Sequence, residues 1–278
     1  MNSTNYTIKN KKIVVLGAGL SGIAAARVAH GLGAFVTIND INNKPINGLP
    51  DGVATLFGSH PEELLTTCDM IIVSPGVPPI DVLETARSRG VEIIGEVEFA
   101  LRFITAPIGA VTGTNGKSTT VSLLGELLKT SGRPVFTGGN LGDPLSNALF
   151  TPAASQEGLI SLELSSFQLE TITSLRPKVA ALLNLTEDHL DRYATFDEYV
   201  AAKRNIFTSI PSDGFALLNL DDPLVVAMAP ELTCEVRYFS AAGNPGAHYR
   251  LEGNTLVFDG FPITLEARQI IIPGLHNV

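Results

Sequence analysis

Residues 108–120 read Ile108-Gly109-Ala110-Val111-Thr112-Gly113-Thr114-Asn115-Gly116-Lys117-Ser118-Thr119-Thr120. A short apolar run leads into a glycine-rich loop ending in Lys-Ser, and helix-period residues follow over 119–129. That order predicts a buried parallel strand, a phosphate loop and a helix. In such a loop backbone N–H groups surround phosphate oxygens, Lys117 neutralises the outer phosphates and the Ser118 hydroxyl is placed to ligate Mg²⁺. The match departs from the full P-loop pattern at Val111, which stands where a leading glycine would be. The plain alternative, a polar turn capping a helix with Lys117 in solvent, is weaker because the GKST ending falls between strand and helix.

Upstream the same alternation holds. Residues 12–16 read as a strand, followed by Gly17-Ala18-Gly19-Leu20-Ser21-Gly22 and a small-residue helix over 23–32. A second strand over 35–39 ends at Asp40, and a third covers 70–73 before the turn Ser74-Pro75-Gly76-Val77-Pro78-Pro79. A helix over 81–89, a strand over 91–94 and a helical connector over 95–105 complete a compact unit. Glycines in G-x-G-x-x-G allow a tight turn and close approach of a diphosphate to a helix N-terminus, where unpaired N–H groups favour negative charge. Glycines also serve plain helix–strand packing. Read alone, the first loop says NAD or FAD, with Asp40 placed for a hydroxyl or base edge.

Downstream, residues 158–162, 179–183 and 215–219 are candidate buried strands, and 196–210 has helical spacing. From about residue 235 the pattern turns to short alternating strands (249–251, 255–258 and 263–265), expected to form an antiparallel flap. The expected fold is α/β: a Rossmann-like N-terminal domain over 1–104, then a P-loop-type central ATP-binding domain over 105–278 with a small antiparallel β addition.

Composition agrees with a folded chain, long enough for two ordinary domains or one large one. Over 278 residues, 45% are hydrophobic and 17% charged, and the net charge is −9. That balance argues against nucleic acid as a partner and leaves any phosphate to backbone N–H groups and a few lysines. Cys68 and Cys234 have neither metal-like nor redox spacing, and no apolar run reaches the length of a membrane span. The polar N-terminus does not resemble a signal peptide, so a soluble cytoplasmic protein is expected. The final IIIPGLHNV reads as the entrance to a further element, which suggests truncation.

Three features carry chemistry beyond the loops. Glu163 ends a strand within Leu162-Glu163-Leu164-Ser165-Ser166-Phe167-Gln168-Leu169-Glu170, where a carboxylate beside a phosphate-loop strand suits Mg²⁺. Asn184-Leu185-Thr186-Glu187-Asp188-His189-Leu190-Asp191-Arg192 places three acids, a histidine and an arginine after another strand. A lone histidine is ordinarily structural; this cluster, at a strand's C-terminal end, is a better candidate. Lys203 lies on the apolar stripe of its helix, where a solvated lysine does not belong; snorkelling or a buried ion pair is the bland explanation.

Taken in order, GTNGKST, GGNLG (138–142), LELSSFQLE, NLTEDHLDRY and YVAAKRNIF resemble the successive motifs of the Mur ligases, in the form of the D-glutamate-adding branch. The resemblance runs from Lys12 to Val278. It implies an ATP-dependent amide-forming enzyme that joins D-glutamate to UDP-N-acetylmuramoyl-L-alanine through an acyl phosphate, in peptidoglycan synthesis. By the match, Thr114, Asn115, Gly116, Lys117, Ser118, Thr119 and Thr120 hold ATP, with Asn277 near it. Lys117, Glu163, His189 and Lys203 form the catalytic set. Ser118 and Glu163 serve one Mg²⁺, and His189 helps hold a second. Lys203 aligns with a lysine carried as a carbamate, and in that form it is a further metal ligand. The first domain then binds uridine diphosphate: Leu20 and Ser21 meet the diphosphate, Asp40 and Ile41 the uracil, Gly76 the sugar–phosphate, and Asn140 and His189 the muramoyl-alanyl end. Asn42 departs from an arginine expected of relatives. The resemblance also implies a third, C-terminal domain, absent from this sequence, that carries most D-glutamate contacts, so that the chain alone is expected to be inactive. No nucleic acid and no membrane span are expected, and a monomer is.

Two other classes compete. A nicotinamide or flavin oxidoreductase rests on GAGLSG alone and has no use for the second loop; a non-catalytic nucleotide-binding module predicts affinity without turnover. Within enzymes the alternative is a Mur-type ligase adding another amino acid.

Overall fold

The computed structural model describes residues 6–43, 45–140, 142–188, 192–253 and 255–259, and the backbone of 261–264. Its contacts divide the chain into two units: Met1–Ala106 with Gly138–Gly158 and Thr171–Ser174, and Pro107–Thr137 with Leu159–Glu170 and Leu175–Val278.

The first unit is built from β1 (Lys12–Leu16), α1 (Leu20–Gly31), β2 (Phe35–Asp40), β3 (Ala54–Phe57), α2 (Glu62–Thr66), β4 (Met70–Val73), α3 (Asp81–Ser88), β5 (Glu92–Gly95) and α4 (Glu96–Leu101). Its sheet has the order β3-β2-β1-β4-β5, and every pairing is parallel. In β1 the side chains of Ile13 and Val15 join one core cluster and those of Val14 and Leu16 another. This is the period-2 consequence of a strand covered on both faces, and it is why the segment reads as an unbroken apolar run. Ala24, Ala25, Ala26 and Ala29 are buried along α1, which lets the helix lie close to the sheet. Closest approach is at Gly22, where a Cβ would stand 1.9 Å from the Gly17 carbonyl oxygen.

Two carboxylates on α4 explain why later segments belong to this unit. Glu96 Oε1 accepts the Ser146 N–H at 2.6 Å. Glu98 accepts the N–H groups of Thr173 and Ser174 at 2.8 and 2.9 Å, both their hydroxyls, and Arg102 Nε at 3.0 Å. Burial pushes the Glu98 carboxyl up, but the hydrogen bonds from Ser174, Thr173 and Arg102 outweigh it and hold the group below the usual carboxylate range. The first unit closes at Ala106 and includes two stretches from beyond it, Gly138–Gly158 and Thr171–Ser174.

The second unit contains β6 (Ile108–Thr112), α5 (Lys117–Lys129), β7 (Val135–Gly139), β8 (Leu159–Glu163), α6 (Ser166–Leu169), β9 (Val179–Leu182), α7 (Phe196–Arg204), β10 (Phe215–Asn219), α8 (Pro223–Val226), β11 (Glu235–Ser240), β12 (Tyr249–Glu252), β13 (Thr255–Phe258) and β14 (Phe261–Thr264). Of β7, the last two residues fall to the first unit. The sheet order is β14-β13-β12-β11-β10-β9-β6-β8-β7. β6 pairs in parallel with β8 and β9, so the chain reverses its direction of travel across the sheet at β6, where α/β sheets place ligands.

The predicted strands at 12–16, 70–73, 215–219 and 255–258 coincide with β1, β4, β10 and β13. β3, α2 and β7 were not anticipated: β3 is half exposed along its four residues, and β7 ends in two glycines. The helix expected to 210 ends at Arg204 and tightens to a 3-10 turn through Phe207. The antiparallel addition also starts later than expected. β11 pairs parallel with β10 and β12 parallel with β11; the antiparallel pairings are β12–β13 and β13–β14, which extend the same sheet. No helix among the described residues is long and apolar enough to cross a membrane.

Candidate active site

In the second unit the loop after β6 is held by the loop after β9. Asn184 makes a two-sided contact with Asn115: its Oδ1 accepts the Asn115 N–H at 2.8 Å and its Nδ2 donates to the Asn115 carbonyl at 3.0 Å. Thr114 N–H donates to the Asn184 carbonyl at 3.0 Å. Thr114 Oγ1 accepts the Thr186 N–H at 3.0 Å and lies 3.0 Å from the Tyr199 hydroxyl. Gly116 caps α5 with φ +85°, a conformation that side chains disfavour, so the first N–H groups of α5 lie next to the loop without a side-chain cap. Lys117, Ser118, Thr119 and Thr120 form the first turn of α5, and Lys117 Nζ donates to the Thr114 carbonyl at 2.9 Å.

Lys203 reaches this loop from α7. It is 2% exposed, and its Nζ donates to the Gly113 carbonyl at 2.8 Å. The ring of Tyr199, one turn earlier on α7, lies 4.7 Å from the same nitrogen. Burial pushes the Lys203 ammonium down to about 7, and the charge of Lys117 pushes the same way against the carboxylates of Asp188 and Glu163. A substantial neutral fraction near neutral pH follows, as the apolar-stripe position predicts. Glu163, buried at the end of β8, is the register partner of Val111 on β6. Lys117, Glu163, Asp188 and Lys203 thus converge on one sheet edge. His189 and Asn277 lie outside the described residues.

Among the described residues no three His, Cys, Asp or Glu side chains are grouped to hold a metal ion. The donors available beside the loop, the Glu163 carboxylate and the Ser118 hydroxyl, are hard oxygens. Mg²⁺ commonly takes one or two such carboxylates and completes its shell with phosphate and water, so the donor chemistry fits.

In the first unit Leu20 and Ser21 open α1, whose N-cap, Gly19, supplies no side chain. A Cβ on Gly19 would meet nothing within 4 Å, which leaves room before the helix N-terminus. Leu20 is 75% exposed and Ile41 54%, two large apolar side chains in solvent at the C-terminal edge of the sheet. Asp40 Oδ2 accepts the Ala18 N–H at 2.8 Å, and Oδ1 accepts the Asn42 N–H at 2.8 Å. Asp40 therefore anchors the glycine loop itself, a job its position at a strand end did not reveal. Gly76 is exposed in the turn after β4, and Asn140 follows β7 within the stretch assigned to this unit.

Sequence reasoning missed Asp222. Its Oδ2 accepts the Leu185 N–H at 2.8 Å while Oδ1 caps α8 through Leu224 and Val225 N–H groups. The available signal was Asp222-Pro223, an N-cap followed by proline at the first helical position. The roles of Tyr199 and Glu170 were missed too: Tyr199 was read only as part of a helical stripe and a motif, and Glu170 only as the end of one.

Fold and site define an α/β protein with one glycine-rich loop at the switch point of a mostly parallel sheet and another at the C-terminal edge of a parallel one. The family model described as the Mur ligase middle domain matches residues 111–278, and that described as the Mur ligase MurD-like, N-terminal domain matches residues 11–95. The chain belongs to the Mur ligase family. It is 42% identical over 282 residues to the UDP-N-acetylmuramoylalanine--D-glutamate ligase of Geobacter sp. (strain M21), and 39% identical over 289 residues to that of Thermoanaerobacter sp. (strain X514). In both cases the match covers 98% of this chain and 62% of the relative, so the chain spans less than two thirds of their length. The solved UDP-N-acetylmuramate:L-alanyl-gamma-D-glutamyl-meso-diaminopimelate ligase of Neisseria meningitides is similar with a TM-score of 0.61 at 18% identity, over 91% of this chain and 86% of that one. A UDP-N-acetylmuramoyl-L-alanyl-D-glutamate--2,6-diaminopimelate ligase gives 0.51 at 20% identity, over 96% and 54%. These two likenesses concern the fold.

Proposed function

We propose that this chain supplies the nucleotide-handling part of an ATP-dependent ligase that adds D-glutamate to UDP-N-acetylmuramoyl-L-alanine in peptidoglycan synthesis. The observation that carries the reading is the meeting of Lys117, Glu163 and the buried Lys203 at the loop after β6. The names of the relatives select the substrates.

An ionised carboxylate is a poor electrophile with no viable leaving group. Transfer of the γ-phosphoryl of ATP to the alanyl carboxylate gives an acyl phosphate, which the amine of D-glutamate attacks; phosphate then leaves from the tetrahedral intermediate. Positioning and charge stabilisation are the main levers in such a transfer. Thr114, Asn115, Gly116, Ser118, Thr119 and Thr120 surround the phosphates through the loop and the first turn of α5. Lys117 exchanges its bond to the Thr114 carbonyl for the γ-phosphoryl oxygens. Ser118 and Glu163 would hold Mg²⁺, with His189 and a Lys203 carbamate serving a second ion, and the metal would supply screening between the two anions. The neutral Lys203 amine is the form that takes up CO₂, so its burial suits that role.

The domain reading is a UDP-substrate domain over 1–104 and an ATP domain over 105–278. Leu20 and Ser21 N–H groups meet the diphosphate, Asp40 and Ile41 the uracil, Gly76 the sugar–phosphate, and Asn140 with His189 the muramoyl-alanyl end. Asn277 completes the ATP site. The groups that hold D-glutamate are assigned to a further domain, and the enzyme to the cytoplasm as a monomer. The test is phosphate release by a full-length ligase carrying this sequence. Release that requires ATP, UDP-N-acetylmuramoyl-L-alanine and D-glutamate together supports the reading; release with a different amino acid, or none, refutes it.

A further inference from the structure

The loop after β9 is pinned on two sides, and only one side is the phosphate loop. Its N-terminal flank is tied by Asn184 and Thr186 to Asn115 and Thr114, and by Leu185 to Asp222. Its C-terminal flank, Arg192 and Tyr193, is tied to Glu170, the last residue of the LELSSFQLE motif. Glu170 Oε1 accepts the Tyr193 hydroxyl at 2.5 Å, and Oε2 accepts Arg192 Nη2 at 2.9 Å. The Arg192 guanidinium lies 4.2 Å from the ring centre of Phe167, which itself stacks on Tyr193 at 6.0 Å. Tyr193 in turn meets Tyr199 edge-on at 5.5 Å, and Tyr199 reaches Thr114. Glu170 is thus the charged end of a packed series that runs back to the phosphate loop.

We propose that Glu170 is a positioning residue, which fixes Arg192 and Tyr193 and through them the chain that follows Asp188 beside the bound acyl substrate. The consequence for substrate rests on the function proposed above; the anchoring of the loop does not. Two features make Glu170 the controlling member. It accepts hydrogen bonds from both Arg192 and Tyr193, and a charge-assisted bond is stronger than a neutral one. Burial and the Glu170 carboxylate push the Tyr193 hydroxyl upward, so it remains a donor throughout the working pH range. Nucleotide affinity should be spared, because the flank bonded to the phosphate loop has its own anchors in Asn184 and Asp222.

The experiment compares wild type with Glu170→Ala, Glu170→Gln and Tyr193→Phe in a full-length ligase carrying this sequence. Amide exchange of residues 184–193 should quicken about tenfold in Glu170→Ala, with exchange over 117–129 unchanged. Glu170→Gln, which keeps an acceptor for Tyr193, should restore most of the protection. KM for the UDP-linked substrate should rise roughly tenfold in Glu170→Ala while Mg–ATP affinity stays within about twofold. Unchanged exchange over 184–193 in both Glu170→Ala and Tyr193→Phe overturns the proposal. So does loosening of 117–129 in step, which would make Glu170 a general stabiliser. Should Glu170→Ala not fold, Tyr193→Phe and Glu170→Gln decide by the same criteria. A wild type that binds no UDP-linked substrate sinks the function proposed above, while the exchange measurement still decides the role of Glu170.

Discussion

Lys203 Nζ lies 2.8 Å from the carbonyl oxygen of Gly113, a residue 90 positions earlier in the chain. The contact places a buried amine against the loop that follows β6, and the amine is pushed down to about 7. Because the folded value lies below the ordinary lysine value of 10.5, the unfolded chain binds more protons between the two. Stability therefore rises with pH through that window and carries its full penalty below about 7. Lys203→Met removes the titrating group. Its melting temperature, relative to wild type, should be highest below pH 7 and should lose ground steadily towards pH 10.5; parallel curves would contradict the buried amine. In ¹³C-bicarbonate, wild type should also show a carbamate resonance that Lys203→Met lacks.

Lys117→Ala should weaken Mg–ATP binding by about 1.5–3 kcal/mol, the worth of a hydrogen bond to a charged group. Among the described residues Lys117 Nζ bonds the Thr114 carbonyl, a single contact, so the fold should tolerate the loss. Calorimetry giving equal affinity for both proteins would remove the phosphate-loop assignment.

Two glycines of the first loop should respond in opposite ways. A Cβ at Gly22 would meet the Gly17 carbonyl at 1.9 Å, so Gly22→Ala forces α1 off the sheet, an overpacking cost of about 1–3 kcal/mol. Gly19, with φ −82° and open space around its Cβ, accepts alanine without strain. Gly19→Ala should keep the wild-type unfolding midpoint in urea yet lose affinity for UDP-N-acetylmuramoyl-L-alanine. Tighter binding of NADH than of the uridine nucleotide by wild type would return the first loop to a dinucleotide role.

Glu96 is 1% exposed, and its Oε2 is a buried oxygen without a hydrogen-bond partner among the described residues. Burial raises its pKa, against the opposing bonds from Ser146. For a carboxyl raised in the fold, stability is full below the unfolded value and falls as pH climbs through the folded one. Glu96→Gln keeps an acceptor for Ser146 N–H and carries no charge to desolvate. Thermal melts from pH 4 to 9 should show the variant gaining on wild type as pH rises; an advantage at low pH alone would reverse the sign and refute the assignment.

Much was determined by sequence alone. β1 and β4 were legible because a strand covered on both faces must be apolar at successive positions. Both glycine loops were legible because tight turns and close approach admit few residue types, and Lys203 was legible because a lysine on an apolar helical stripe contradicts its surroundings. Only the tertiary structure decided what three carboxylates do. Asp40 holds Ala18 across 22 positions, Glu98 takes Thr173 and Ser174 from 75 and 76 away, and Glu170 takes Arg192 and Tyr193 from 22 and 23 away. Periodicity records which face of an element leaves water, whereas a backbone N–H brought close by loop closure leaves no mark on the spacing of the residue that satisfies it. For the same reason the segments at 138–158 and 171–174, continuous with the second half in sequence, proved to belong with the first.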